Sequence, residues 1–195
     1  SDVTTGLQGT SFTLKKDGET IKLESRLISR YKVGYLAFIA AFALQLGLTK
    51  EQVRAGVAKT QPFKHRMQPY QLGGAWVIDD TYNGNLEGIR AGTRLLAEVP
   101  AQRKIYVTPG LVDQGDETAR IHREVGRLIA EANPDIVVLM KNSVTGYIKE
   151  GLKAGGFDGE LRIEPDPLDF YTNLNHFVAS GDLVVMQNDW PDNYA

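Results

Sequence analysis

The chain has 195 residues, with 22 basic against 24 acidic side chains and a formal charge of −2, a balance that argues against a general nucleic-acid binder. With 42% hydrophobic residues it can form a packed core, so it is not expected to be disordered. It has no cysteine, which excludes disulfides, thiolate zinc sites and cysteine nucleophiles, and His65, His122 and His176 show no metal-ligand spacing. The length allows one large or two small domains. Neither a signal peptide nor an apolar run of the ~20 residues needed to span a membrane is visible, so a cytoplasmic soluble protein is expected, with no membrane insertion. The first residue is Ser rather than Met, which suggests a piece of something longer.

Residues 11–15 and 20–24 read as strands around Lys16-Asp-Gly-Glu19, a hairpin signal. Residues 31–46 are apolar nearly all round and predict a buried helix, stopped at Gly47-Leu48 in the Schellman manner. Thr49 with Gln52 forms a capping-box pattern that opens a second helix ending near Lys59. Gln61-Pro62-Phe63 reads as a linker, giving domains 1–62 and 63–195. Gln68 to Leu72 and Ala75 to Ile78, around Gly73-Gly74, predict a second hairpin. Strands and helices then alternate. Strands are expected at 105–108, 135–140, 161–163 and 183–186. Helices are expected from an Asn85 cap, after Asp116, over 145–154, and from an Asp166 cap with Pro167 at its first position. The fold class is therefore α/β: a doubly wound, Rossmann-like, six-stranded and mostly parallel sheet, preceded by a small α+β portion.

The most informative stretch is Trp76-Val-Ile-Asp-Asp-Thr-Tyr-Asn-Gly-Asn85, an apolar strand that runs into a polar turn and a helix start. Open α/β sheets bind ligands at such carboxyl ends. Asp79 and Asp80 supply carboxylates there, Asn83 and Asn85 supply amides, and Asn85 suits a helix cap. The chain has neither G-x-G-x-x-G after a strand nor G-x-x-x-x-G-K-[ST], so it carries no dinucleotide fingerprint or P-loop of its own. Lys64-His65-Arg66 is either a solvated basic corner or a phosphate-binding group, a role for which arginine's planar fork is suited. His65 reads as a supporting group, Met67 and Tyr70 as packing residues. The Pro109 to Gly115 loop has backbone amides suited to an anion. His122, at the border of an apolar stripe, reads as a hydrogen-bonded helix-packing residue.

Three strings together resemble the Mur ligase family, ATP-dependent enzymes that add amino acids or dipeptides to the peptidoglycan precursor. Asp79-Asp-Thr-Tyr-Asn-Gly-Asn85 is similar to Asp-Asp-Ser-Tyr-Asn-Ala-Asn of the branch that adds D-alanyl-D-alanine. His65-Arg66-Met67 falls where the family has its basic motif, and Ile121-His-Arg-Glu-Val-Gly126 resembles a helix of the same branch. Residues 1–62 resemble the tail of the family's central ATPase domain, including its Gly-Thr-x-Phe-Thr-Leu strand at Gly9 to Leu14. The resemblance implies the C-terminal part of a three-domain ligase. The cofactor would be ATP, with Mg2+ ligands and the P-loop in the N-terminal and central portions of the parent. It also implies that Arg66 contacts ATP phosphates and acts in catalysis, that Asp80 binds ribose hydroxyls, and that Tyr82 and Asn83 lie against the nucleotide. Thr81, Asn85, Asn188 and Asp189 are the expected substrate contacts.

The family's partners would be a UDP-MurNAc-peptide and D-Ala-D-Ala or a related amine, joined through an acyl phosphate. Two departures stand out. The family's His-Asn-Val-x-Asn, with its adenine contact, is Tyr31-Lys-Val-Gly-Tyr35 here, and its Lys-Gly-Ser is Gln187-Asn-Asp189. An anion at 189 repels a substrate carboxylate and attracts an ammonium. The parent is thus expected either to use an amidated or amine-rich nucleophile or to hold D-Ala-D-Ala with Arg66 or Lys141. Alternatively, Asp189 caps the turn before Trp190-Pro191. Two other readings remain: a folylpolyglutamate- or cyanophycin-type ligase, and a degenerate Mur-like binding module.

Overall fold

The computed structural model describes residues 1–28, 30 and 32–188. The chain divides into two compact units, Ser1–Phe63 and Lys64–Ala195.

The first unit is a three-stranded antiparallel meander with two helices. Strands β1 (Thr4–Gly6), β2 (Gly9–Lys16) and β3 (Glu19–Ser25) pair in that order. The β2–β3 loop is Asp17-Gly18, both at positive φ (51° and 77°), as a two-residue primed turn requires. Helix α1 (Lys32–Gln45) ends in the expected Schellman pattern: Gly47 N–H donates to Leu44 O and Leu48 N–H to Ala43 O. Helix α2 (Lys50–Ala58) opens with both capping-box bonds between Thr49 and Gln52. Phe12, Ile21 and Leu23 of the sheet meet Leu36, Ala40, Val53 and Val57 of the helices.

The expectation that α1 is buried is corrected. Within the helix Leu36 and Ala40 are buried, while Tyr35 and Phe38 are 72% and 71% exposed and Ile39 and Phe42 are exposed too. A small sheet offers one face, so a helix that is apolar all round can bury one stripe against it. Strand β1, with no apolar alternation, gave no signal in the sequence.

The second unit is the doubly wound sheet. Its strands are β4 (Gln68–Leu72), β5 (Ala75–Asp80), β6 (Arg103–Thr108), β7 (Ile136–Met140), β8 (Glu160–Glu164) and β9 (Asp182–Gln187). Their order is β4-β5-β9-β6-β7-β8, with β4 antiparallel to β5 and the other pairs parallel. The helices are α3 (Leu86–Glu98), α4 (Thr118–Ala132), α5 (Thr145–Ala154), α6 (Pro167–Thr172) and α7 (Leu174–Phe177). Phe170 and Leu174 cover the sheet face made by Val77, Ile105, Val107, Val138 and Val184. Helices α3, α4 and α5 lie side by side, with α3 against β6 and β9. The chain steps outward from β5 through β6 and β7 to β8, then returns to insert β9 between β5 and β6. That reversal opens a crevice at the carboxyl ends of β5, β9 and β6.

Three local expectations change. Strand β5 continues through Asp79 and Asp80, because Gln68 pairs with Asp79 and Gln187 with Asp80. Asp116 does not cap α4: it lies inside a 3-10 turn, Gly115–Glu117, and no side chain caps the helix. The helix capped by Asp166 breaks at Asn173 into α6 and α7.

Candidate functional site

Asp79 is the buried anchor of the turn after β5, at 7% exposure. Its Oδ1 accepts from Thr81 N–H (3.1 Å) and the Thr81 hydroxyl (2.7 Å), closing the turn back on the strand end. Its Oδ2 lies 2.7 Å from Nδ1 of His65. A carboxylate there selects the tautomer with a proton on Nδ1, so His65 is a supporting group. His65 and Met67 both sit at positive φ (60° and 49°), an unfavourable backbone for bulky side chains. Such strain is held in place by surrounding bonds and collects at functional sites.

Asp80, half-buried beside it, faces the crevice. Its Oδ1 accepts from Met67 N–H (3.0 Å) and its Oδ2 from Nε2 of Gln187 (2.8 Å). Gln187 ends β9 and is 1% exposed. Its second Nε2 proton goes to Gly88 O (2.9 Å) in the first turn of α3, and its Oε1 accepts from the Tyr106 hydroxyl (2.9 Å). Burial pushes the Tyr106 phenol well above its ordinary range, and the Asp80 charge adds to this, so the hydroxyl remains a neutral donor. A Cβ on Gly92 would run into Gln187 Oε1, so α3 needs glycine there to pass over the amide.

Arg66 reaches across the turn. Its Nη1 donates to Tyr82 O (2.9 Å) and Asn83 O (2.8 Å), and its guanidinium carbon lies 4.3 Å from the centre of the exposed Tyr82 ring. Among the described residues Nε and Nη2 make no hydrogen bond, which leaves a cationic edge for an anion. Asn85 caps α3, its Oδ1 accepting from Gly88 N–H (2.8 Å). Asn188 is 2% exposed at φ 78°; its N–H donates to Asp80 O and its Nδ2 to Thr108 Oγ1.

The next strand ends are tied to one another. His122 is fully buried, with Nδ1 2.6 Å from Thr118 O and Nε2 accepting from Leu111 N–H (2.9 Å). Asn142 Nδ2 donates to Pro109 O (2.6 Å), fastening the loop after β7 to the loop after β6.

The structure thus brings Arg66, Asp80, Thr81, Tyr82, Asn83, Asn85 and Asn188 to one end of the sheet. Asp189 lies outside the described residues, as do Tyr31 and Trp190-Pro191. Among the described residues no three His, Asp or Glu side chains cluster as metal ligands would.

Residues 65–187 match the family described as Mur ligase, glutamate ligase domain. The chain belongs to the Mur ligase family. It is 33% identical over 192 residues to the UDP-N-acetylmuramoyl-tripeptide–D-alanyl-D-alanine ligase of Synechocystis sp., covering 95% of this chain and 41% of that one. The ligase of the same name from Haemophilus influenzae is 30% identical, over 92% of this chain and 38% of the other. That of Escherichia coli is 29% identical, over 67% and 29%. The chain therefore spans 29% to 41% of the length of these three relatives. Among solved structures, MurF from Acinetobacter baumannii superposes with a TM-score of 0.80 at 23% identity, covering 97% of this chain and 41% of that one. The MurF ligase of Thermotoga maritima in complex with ADP gives 0.76 at 17% identity, over 97% and 42%. At those identities the likeness establishes the fold.

In this Mur ligase chain, sequence reasoning missed Tyr106 and read Gln187 as one of the amides of an amine-selecting tail, whereas it is 1% exposed and bonded to Asp80, Gly88 and Tyr106. Tyr106 is one of several apolar-looking residues in its strand. The departure from Lys-Gly-Ser did mark position 187, but its link to Asp80 needs the pairing of β5 with β9.

Proposed function

We propose that this chain is the C-terminal part of an ATP-dependent amide ligase that adds D-Ala-D-Ala or a related amine to a UDP-MurNAc-peptide through an acyl phosphate. On this reading residues 1–62 belong to the tail of the central ATPase domain. Arg66 contacts ATP phosphates, Asp80 binds ribose hydroxyls, and Tyr82 and Asn83 lie against the nucleotide. The observation that carries it is the pairing of an arginine edge with a fixed carboxylate at the crevice of β5 and β9. It is supported by the identity to named ligases along almost the whole chain. Nucleotide binding is supported by the ADP complex of the Thermotoga maritima protein.

The chemistry asks for neutralised phosphate charge and two aligned reactants. The guanidinium edge suits the first, and the turn locked by Asp79 holds it in place. Mg2+ and its ligands belong to parts of the parent outside this chain. We assign the amine side to Thr81, Asn85 and Asp189; Asn188, expected there too, is 2% exposed with its amide held by Thr108, so we assign it a supporting role. No described helix is long and apolar enough to cross a membrane, and the reading places the reaction in the cytoplasm, where ATP is available.

The test is phosphate release by the full-length protein with ATP, UDP-MurNAc-tripeptide and D-Ala-D-Ala. Release that depends on both the precursor and the dipeptide is expected, whereas the chain alone should match the blank. Dipeptide-independent behaviour of the full-length protein, or turnover by the chain alone, would overturn the assignment.

A further inference from the structure

We propose that Gln187 is a positioning residue for nucleotide binding: together with Tyr106 it fixes the Asp80 carboxylate in the orientation that receives the ribose hydroxyls. The inference rests on the nucleotide reading above and goes beyond it by assigning two buried residues of neighbouring strands.

The amide's orientation follows from its neighbours. One end of Gln187 faces the Tyr106 hydroxyl, and the other faces Asp80 Oδ2 and Gly88 O. A carboxylate and a carbonyl can only accept, so the NH2 group must face them. A flipped amide would set its oxygen against two acceptors in a site with almost no solvent, at a cost that excludes it. The hydroxyl must then donate to Oε1. The result is a one-way chain from Tyr106 O–H through the Gln187 amide to Asp80, in which both amide protons are used.

Because β9 lies between β5 and β6, the chain runs across three adjacent strands. Gly92 leaves the space it needs. Met67 N–H holds the other carboxylate oxygen from the opposite side. Asp80 is gripped from two directions while facing the crevice. A neutral amide orients the carboxylate without placing a positive charge beside it.

The test uses the full-length protein and compares ATP with 2′-deoxy-ATP and 3′-deoxy-ATP in phosphate release. The wild type should favour ATP in kcat/KM by about tenfold or more over at least one deoxy analogue, the size of one lost hydrogen bond to a charged group. Asp80→Asn should remove most of that preference. Gln187→Met, similar in volume but without the amide, should raise KM for ATP by about five- to tenfold. It should flatten the preference, with kcat changed much less. Tyr106→Phe should give a smaller loss of the same kind. If Gln187→Met does not fold, Tyr106→Phe, which removes one oxygen, carries the test.

Failure of the proposal and failure of the reading beneath it look different. If Asp80→Asn loses the preference while Gln187→Met and Tyr106→Phe keep it, Gln187 is core filling and the proposal is wrong. If the wild type itself ignores the ribose hydroxyls, Asp80 is not a ribose ligand, and both readings fall together.

Discussion

The two ends of the six-stranded sheet solve opposite problems. At the amino end Asp182, 3% exposed, receives Arg103 in two parallel bonds (3.0 and 2.5 Å) together with Ala179 N–H (2.7 Å). The pair raises the Arg103 pKa further, and the neighbouring Lys104 N–H is taken by Asp135 (2.6 Å). These groups satisfy one another locally. At the carboxyl end His65, Met67 and Asn188 hold left-handed backbone, and the fork of Arg66 is half spent on its own turn. An arginine closes an ion pair at one end, and at the other leaves an edge to which we assign the nucleotide phosphates.

The largest effect should come from breaking the amino end. Asp182→Ala leaves a partly buried guanidinium with only its long bond to Phe177 O (3.4 Å) and leaves the Ala179 N–H without an acceptor. Because Arg103 keeps about a third of its side chain in solvent, the expected loss is about 2–3 kcal/mol, below the range for a fully buried pair. Urea unfolding of the chain should show it, with ATP parameters of the full-length protein unaffected below the melting range. A variant as stable as the wild type would mean that the pair contributes nothing net.

Arg66→Ala should do the reverse. A lost charge-assisted phosphate contact is worth about 1.5–3 kcal/mol, or one to two decades in turnover. The unfolding midpoint of the chain should move little, since exposed polar contacts contribute modestly. Wild-type kinetics from a folded Arg66→Ala protein would return Lys64-His65-Arg66 to the status of a solvated basic corner.

A subtler break lies between the turn and the end of β9. A Cβ on Gly84 would collide with Oδ1 of Asn188. The family strings that this chain resembles carry Ala at the first position and Gly at the second, so bulk has changed sides. Gly84→Ala alone should cost about 1–2 kcal/mol by overpacking. In the Asn188→Gly background, where φ 78° suits glycine, the same change should cost far less, giving a coupling of about 1 kcal/mol. Additive losses in the double-mutant cycle would show that Asn188 simply rotates away.

What the sequence shows at the two ends differs for the same physical reason. The hairpin at Asp17-Gly18, the Thr49 box and the Asn85 and Asp166 caps depend on residues within a few positions, and each was legible. So was the alternation that forms the parallel sheet. The Gln187–Asp80 bond joins residues 107 apart, and Tyr106–Gln187 joins residues 81 apart. Periodicity holds no record of such pairs, because they exist once β9 has inserted between β5 and β6. Helix α1 misled because an apolar surface marks a tendency to be covered but does not say by what.

The smallest effect tests whether the carboxyl end is tuned by protonation. His122 is buried, with one ring nitrogen donating to Thr118 O and the other accepting from Leu111 N–H, an arrangement that needs the neutral ring. Desolvation lowers its pKa below the ordinary histidine value and outweighs the bond to Thr118 O, which favours the protonated ring. The unfolded chain, with a pKa near 6.5, then binds the proton more readily than the folded one. The associated stability is complete above about pH 6.5 and is lost as pH falls from there toward the folded value. His122→Gln, which can still donate and accept, removes this titration and leaves the carboxylates as they were. Unfolding free energies of both proteins between pH 7.5 and 5 should therefore converge as the pH drops, with the wild type losing its advantage. Parallel curves would show that the ring accepts a proton in place, and that the Pro109 to Gly115 loop does not depend on a neutral histidine.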